Sequence, residues 1–181
     1  NVVVVTGTAS GKTLCYVLPV MERLLAEPLS TMLFLYPTKA LAQDQLRGLR
    51  RFQEQLDPGL LCGTYDGDTS QYQRRTLRDS GRIVLTNPDM LHQGILPQHP
   101  RWSRFFANLR YVVIDEIHTY RGVFGSHLAN VIRRLRRICA HYGSAPQFIC
   151  SSATIANPRE HAAAVCGCAM TLIDEDGSPR G

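Results

Sequence analysis

Lysine is almost missing from this chain. Of 20 basic side chains only two, Lys12 and Lys39, are lysine, and 18 are arginine. A compositional bias toward arginine removes any lysine whose only task is to be positive, so the positions of the two survivors carry information. Long apolar runs are missing too. The longest are only four or five residues, such as those at 2–5 and 32–36, against about 20 for a transmembrane helix, so no membrane span is expected. Cysteine pairs at zinc-finger spacing are also absent. Cys15, Cys62, Cys139, Cys150, Cys166 and Cys168 are scattered, with a single C-x-C at 166–168; no zinc site is expected in this segment, and the thiols suit a reducing, cytoplasmic compartment. Neither a signal peptide nor an initiator methionine is visible: Asn1 leads directly into four valines, which reads as a piece of a longer protein.

What remains is the composition of a globular domain. With 181 residues, 44% hydrophobic and 19% charged, the chain is neither disordered nor fibrous. It is long enough to bury roughly 70% of its unfolded surface without a staple. The net charge of +5 fits a nucleic-acid partner without specifying one.

Short apolar, β-branched runs at 2–5, 32–36, 61–65, 83–86, 111–115, 148–151 and 170–173 predict strands. They are continuously apolar rather than alternating, as expected when both faces are covered. Helical spacing links Leu14, Val17, Leu18, Met21, Leu24 and Leu25, where Pro19 should kink or shorten the helix. It also links Leu41, Leu46, Leu49 and Phe52, and most clearly Leu128, Val131, Ile132, Leu135 and Ile138, whose opposite face carries Arg133, Arg134, Arg136 and Arg137. The segment 97–100, with two prolines, reads as a loop insertion. The alternation predicts one α/β domain with a mainly parallel sheet between helical layers, and ligands outside the carboxyl ends of its strands.

The first strand runs straight into Thr6-Gly7-Thr8-Ala9-Ser10-Gly11-Lys12-Thr13 and then a helix. A compact loop there aims backbone N–H groups at one spot, and the helix N-terminus adds positive potential. Lys12 would reach the β- and γ-phosphates of a nucleotide, and the Thr13 hydroxyl would coordinate Mg²⁺. A compact ammonium on a flexible stem fits between phosphates where a planar guanidinium would not. The full phosphate-loop pattern would place glycine where Thr6 stands, so a Gly/Ser turn with a surface lysine is the alternative. Farther on, the apolar 111–114 ends in Asp115-Glu116-Ile117-His118. Adjacent acids at the end of a buried strand are expensive unless a cation or polar reactant needs them. Asp115 would hold the Mg²⁺ shell and Glu116 would orient or deprotonate a water, making Lys12, Asp115 and Glu116 the catalytic set.

This pairing resembles the superfamily 2 DExH helicase motor. Pro37-Thr38-Lys39 onward looks like motif Ia, Thr86-Asn87-Pro88-Asp89 like motif Ib, and Ser152-Ala153-Thr154 like motif III. The runs at 8–12, 65–69, 118–127 and 150–158 narrow the likeness to the MrfA (YprA-like) repair helicases, relatives of the yeast Hrq helicases and more distantly of Lhr. The resemblance implies a three-layer RecA-like P-loop NTPase fold and ATP with Mg²⁺ as cofactors. It implies DNA as partner, as a single-stranded tail or duplex junction, 3′-to-5′ translocation, and a role in repair. It also implies strand contacts through Pro37, Thr38, Lys39, Thr86, Asn87 and Pro88, and coupling through His118, Ser152, Ala153 and Thr154.

Independently of that likeness, Thr38 and Asn87 are also good helix caps. The resemblance implies a strand-contacting turn at Gly67-Asp68, while the residues by themselves read as a plain Asp-Gly-Asp turn. Arg121 reads as an exposed loop arginine, and the arginine helix as a solvated face. Residues 1–181 thus read as an N-terminally clipped first motor domain. Nothing in them resembles the second RecA-like domain, the adenine-reading Q motif or the family's zinc domain, so the segment alone should bind nucleotide weakly and hydrolyse almost none. Two other readings remain open at this point: a translocase that never separates strands, and a nucleotide-gated binding module.

Overall fold

The computed structural model describes residues 1–7 and 12–174. Seven strands form one sheet: β1 (Val2–Val5), β2 (Thr31–Leu35), β3 (Cys62–Thr64), β4 (Ile83–Thr86), β5 (Leu109–Ile114), β6 (Gln147–Ser152) and β7 (Thr171–Ile173). Their spatial order is β3-β4-β2-β5-β6-β1-β7, and every pairing is parallel. The helices are α1 (Lys12–Ala26), α2 (Lys39–Leu56), α3 (Gln71–Ser80), the short α4 (Pro88–Met90) and α5 (Ser103–Ala107), α6 (Gly122–His141) and α7 (Pro158–Cys166).

The period-two pleat divides each strand between two cores. Met32, Phe34 and Val113 pack beneath α1 and α2 with Tyr16, Val20, Leu46 and Leu49. Leu33, Leu35, Val112 and Ile114 face the other way, against Leu128, Ile132 and Leu135 of α6 and Ala162 of α7. This is the three-layer, doubly covered arrangement that continuous apolar runs require.

Two expectations change. Pro19 lies inside α1, which runs uninterrupted over fifteen residues. The carbonyl that loses its helical donor belongs to Cys15, on the exposed side, where water takes the place of the missing N–H. The segment at 97–100 is not an inserted loop. Between α4 and α5 the chain continues as a π-helical turn (Leu91–Ile95) and a 3₁₀ stretch (Leu96–Trp102), and buries Leu96, Trp102, Phe105 and Phe106 completely or nearly so.

Strand order positions the site. β6 lies between β1 and β5, so the end of β1 emerges beside the end of β6, with the end of β5 one strand farther on. The register pairs Ile114 with Cys150 and Val5 with Ser152. Residues more than a hundred positions apart therefore emerge side by side at the carboxyl edge, the crevice where such sheets bind ligands.

Candidate active site

Of the phosphate-loop residues, Thr8, Ala9, Ser10 and Gly11 lie outside the described residues. Thr6 and Gly7 leave the end of β1, with the Thr6 hydroxyl donating to the Gly7 carbonyl at 3.4 Å. Lys12 and Thr13 open α1, and the Lys12 ammonium donates to the Ser152 carbonyl at 3.3 Å. The Thr13 hydroxyl donates to Gln45 Oε1 at 3.4 Å. Tyr16, one turn on, has its hydroxyl 3.5 Å from Gln45 Oε1 and 3.4 Å from Asp115 Oδ2. Burial first, and then the neighbouring Asp115 carboxylate, push the Tyr16 phenol well above its ordinary range, so it stays protonated and acts as a donor.

Asp115 sits one residue beyond β5 and is 6% exposed. Its Oδ1 accepts from the Ser151 hydroxyl and from the Glu116 N–H at 3.0 Å. That N–H also lies 3.4 Å from Ser151 Oγ. Glu116 adopts φ 52°, ψ 42°, and is the one non-glycine residue with positive φ among the described residues. This left-handed bend costs a non-glycine residue of order 1 kcal/mol or more and persists where the surroundings impose it. Here it turns the chain sharply after the strand, so that Glu116 Oε2 lies 3.2 Å from His118 Nε2. His118 Nδ1 accepts the backbone N–H of Ala153 at 3.1 Å. A nitrogen that accepts cannot carry a proton, so Nε2 is the protonated one and donates to Glu116. The two acids and the segment after β6 are thereby wired together: Asp115 to Ser151, Glu116 through His118 to Ala153, and Lys12 to Ser152. The Ser152 hydroxyl turns to the Ala153 carbonyl at 2.7 Å. Thr154, next in line, is exposed.

The other sequence-derived positions lie along the same edge. Thr38 caps α2, accepting the Leu41 N–H at 3.3 Å, and Pro37 precedes it. Lys39 pairs with Asp68 at 3.2 Å, and a side chain at Gly67 would press on the same ammonium; motif Ia and the 66–69 turn thus form one surface. That turn is organised by Asp66, which is buried and accepts the N–H groups of Asp68 at 2.8 Å and Thr69 at 3.1 Å. Thr86 is buried, its hydroxyl donating to the Tyr65 carbonyl at 2.6 Å. Asn87 caps the turn that starts at Pro88 by accepting the Met90 N–H at 2.8 Å. Arg121 is exposed at the start of α6.

Sequence reasoning missed Ser151, Gln45 and Tyr16. Ser151 had a signal: once β5 and β6 are neighbours, it stands beside Asp115 by register. Tyr16 lies one turn inside α1 and reads as an ordinary helical residue, whereas Gln45 closes the motif Ia stretch that begins at Pro37, though without a role assigned to it.

No described helix is long and apolar enough to cross a membrane. The oxygen-only donors Thr13, Gln45 and Asp115 match what a hard divalent cation accepts.

Comparison with known proteins agrees with the motifs. The ATP-dependent helicase YprA of Bacillus subtilis is 56% identical over all of this chain, which covers 24% of that protein. The ATP-dependent helicase HRQ1 of Saccharomyces cerevisiae is 45% identical over all of this chain, which covers 17% of it. A crystal structure of the DUF1998 helicase MrfA bound to DNA and AMPPNP superposes with a TM-score of 0.96 at 56% identity, covering 100% of this chain and 26% of that one. The chain therefore spans about a quarter of the length of its bacterial relatives, and within that quarter its fold is the RecA-like helicase fold of the MrfA, YprA and Hrq group. The DEAD/DEAH box helicase pattern matches residues 1–161, and the chain belongs to the DEAD/DEAH box helicase family.

Proposed function

We propose that this chain is the first of two RecA-like motor domains of an ATP-dependent DNA helicase that acts in DNA repair, and that the edge around Lys12, Asp115 and Glu116 binds and hydrolyses ATP. The observation that carries the reading is the set of links to residues 151–153, direct from Asp115 and Lys12 and through His118 from Glu116. A site whose only role was structural would not need its two carboxylates and its one lysine to converge on a single neighbouring strand end.

In this reading Thr6 to Thr13 cradle the phosphates and Lys12 neutralises the β- and γ-groups. Thr13 and Asp115 would hold Mg²⁺, which supplies charge neutralisation on the nucleotide. Glu116 orients or deprotonates the attacking water. His118, held between Glu116 and Ala153, transmits the state of that carboxylate to Ser152, Ala153 and Thr154. The nucleic-acid strand crosses the surface made by Pro37, Thr38, Lys39, Gly67 and Asp68 and the neighbouring Thr86, Asn87 and Pro88. The buried hydroxyl of Thr86 and the capping amide of Asn87 shape the backbone of that surface, while exposed Lys39 offers charge. The DNA-bound relative supports DNA as the polymer, and its AMPPNP supports ATP as the nucleotide. Arginines from a second domain would complete the site, a contribution worth on the order of 10³-fold in such enzymes.

The test uses the full-length protein. Lys12→Ala should abolish DNA-stimulated ATPase while preserving salt-sensitive DNA binding, and Glu116→Gln should retain ATP binding without turnover. Unchanged turnover in Lys12→Ala would remove the phosphate-loop assignment, and loss of ATP binding in Glu116→Gln would make that residue structural.

A further inference from the structure

The chain's excess of positive charge is +5, and four of those charges stand together. Arg133, Arg134, Arg136 and Arg137 lie on α6, which contains no acidic residue. None of the four has an ion-pair partner among the described residues. They line an open cleft of about 820 Å³, together with His92 and His127, and no acidic side chain among the described residues lines it. Asp89, outside the lining, stands 3.3 Å from His127. A second concavity formed by His99, Arg134, Arg137 and His141 continues the cleft around the helix.

The four arginines are not equivalent. Arg136 donates to the Gly167 carbonyl at 2.6 Å and fastens α6 to the end of α7. Arg134 reaches the His92 carbonyl at 3.4 Å. Arg133 contacts only the Asn130 amide on its own helix, at 2.7 Å, and Arg137 makes no hydrogen bond among the described residues. Arg133 and Arg137 are both exposed and lie one helical turn apart, about 6 Å along the axis. This is far from the edge already described. Arg133 is about 17 Å along α6 from its start near the acids, and the cleft is walled by Asn1, Pro146 and Phe148 at the opposite ends of β1 and β6.

We propose that this cleft is a second nucleic-acid contact, gripping backbone phosphates of a duplex arm outside the motor edge. The proposal rests on the DNA-motor reading above. Phosphate suits the cleft better than acidic side chains do. A duplex presents about one charge per 1.7 Å of axis, so guanidinium groups a helical turn apart each meet a phosphate in any register. Arginine's fork matches the phosphate oxygens in pairs. The histidines and Asn130 add donors, and the wide opening admits a polymer.

The experiment compares full-length wild type with R133A/R137A and R133K/R137K. Equilibrium binding is measured to two probes: an oligothymidine just long enough to cross the motor, and the same strand extended by a duplex arm. Removing two phosphate contacts should flatten the salt dependence of the arm-bearing probe by about 1.8 in log–log slope, so that the deficit against wild type is roughly tenfold larger at about 50 mM salt than at about 200 mM. The short strand and the ATPase it stimulates should not change, and R133K/R137K, which keeps both charges but loses the fork, should restore the wild-type salt slope with part of the affinity for the arm. Unchanged arm binding would overturn the proposal, as would equal weakening on both probes or failure of the lysine variant to restore the salt slope. If wild type itself does not bind the short strand, the motor reading fails and takes the second contact with it.

Discussion

Ser151→Ala removes one oxygen atom, and the structure says what that atom does. Ser151 is 1% exposed and Asp115 6%, so water does not readily replace the lost partner. The Ser151 hydroxyl donates to Asp115 Oδ1 and accepts the Glu116 N–H at 3.4 Å. After the substitution Oδ1 keeps only the Glu116 N–H at 3.0 Å. A hydrogen bond to a charged group is worth about 1.5–3 kcal/mol. That matches the 10–100-fold losses of metal affinity seen when a group supporting a metal ligand is deleted, because about 1.4 kcal/mol is a factor of ten. The expected result in the full-length protein is a 10–100-fold rise in the Mg²⁺ concentration needed for half-maximal DNA-stimulated ATPase. The maximal rate at saturating Mg²⁺ should fall much less, and nucleotide-free DNA binding should not change. Ser151→Cys, which keeps a weak donor at similar size, should fall between the two. A Mg²⁺ dependence identical to wild type would show that Asp115 is held by something other than Ser151, and the argument from burial would be wrong.

Two further predictions concern stability. A Cβ on Gly125 would collide with the Tyr120 backbone carbonyl, whereas one on Gly48 of α2 meets nothing within 4 Å. Gly125→Ala should therefore destabilise by about 1–3 kcal/mol, and Gly48→Ala should stabilise by about 0.5–1 kcal/mol; thermal melts with the same sign for both would refute this. Arg82 donates to the carbonyls of Leu24 at 2.6 Å, Glu27 at 2.8 Å and Ser30 at 3.2 Å, tying the end of α1 to the start of β4. A lysine offers one point charge in place of that fork, so Arg82→Lys should cost about 2 kcal/mol while Arg101→Lys on the exposed surface costs nothing measurable. Equal midpoints would sink the distinction.

The inner strands were legible because each is a short apolar run covered on both sides, a pattern that survives without knowledge of neighbours; the edge strands β3 and β7 stood out only through apolar residues in and beside them. α2 and α6 were legible from wide apolar stripes. By contrast α3 buries only Leu77, so it has no stripe to see. α7 is a run of small side chains whose start is marked by Pro158 alone. The stretch from Leu91 to Trp102 departs from the α-helical repeat, which hides its buried face from any periodicity. At the site, Lys12, Thr13, Asp115, Glu116 and His118 stood out because their chemistry is costly away from a ligand. Ser151 did not, because its importance comes from which strand lies next to which. The arginines also read differently in three dimensions. Compositional bias accounts poorly for Arg82, or for Arg136 on the Gly167 carbonyl, since these side chains bind loop backbones in a geometry that lysine lacks.

The strand order has a consequence for how the chain comes off the ribosome. β1 precedes the other six strands of this sheet, yet both its neighbours come from the far end: Val2 pairs with Ile149 on one side and Thr171 on the other. At about 5–20 residues per second the four valines wait roughly 7–30 s before their first partner exists. Through that interval the nascent chain carries an unpaired, uncharged, β-prone segment, the kind that seeks strands in other molecules. β1 gains its first neighbour only with β6 and its second only with β7, so the edge that holds Lys12, Asp115 and Ser152 appears only when synthesis of the sheet is nearly complete.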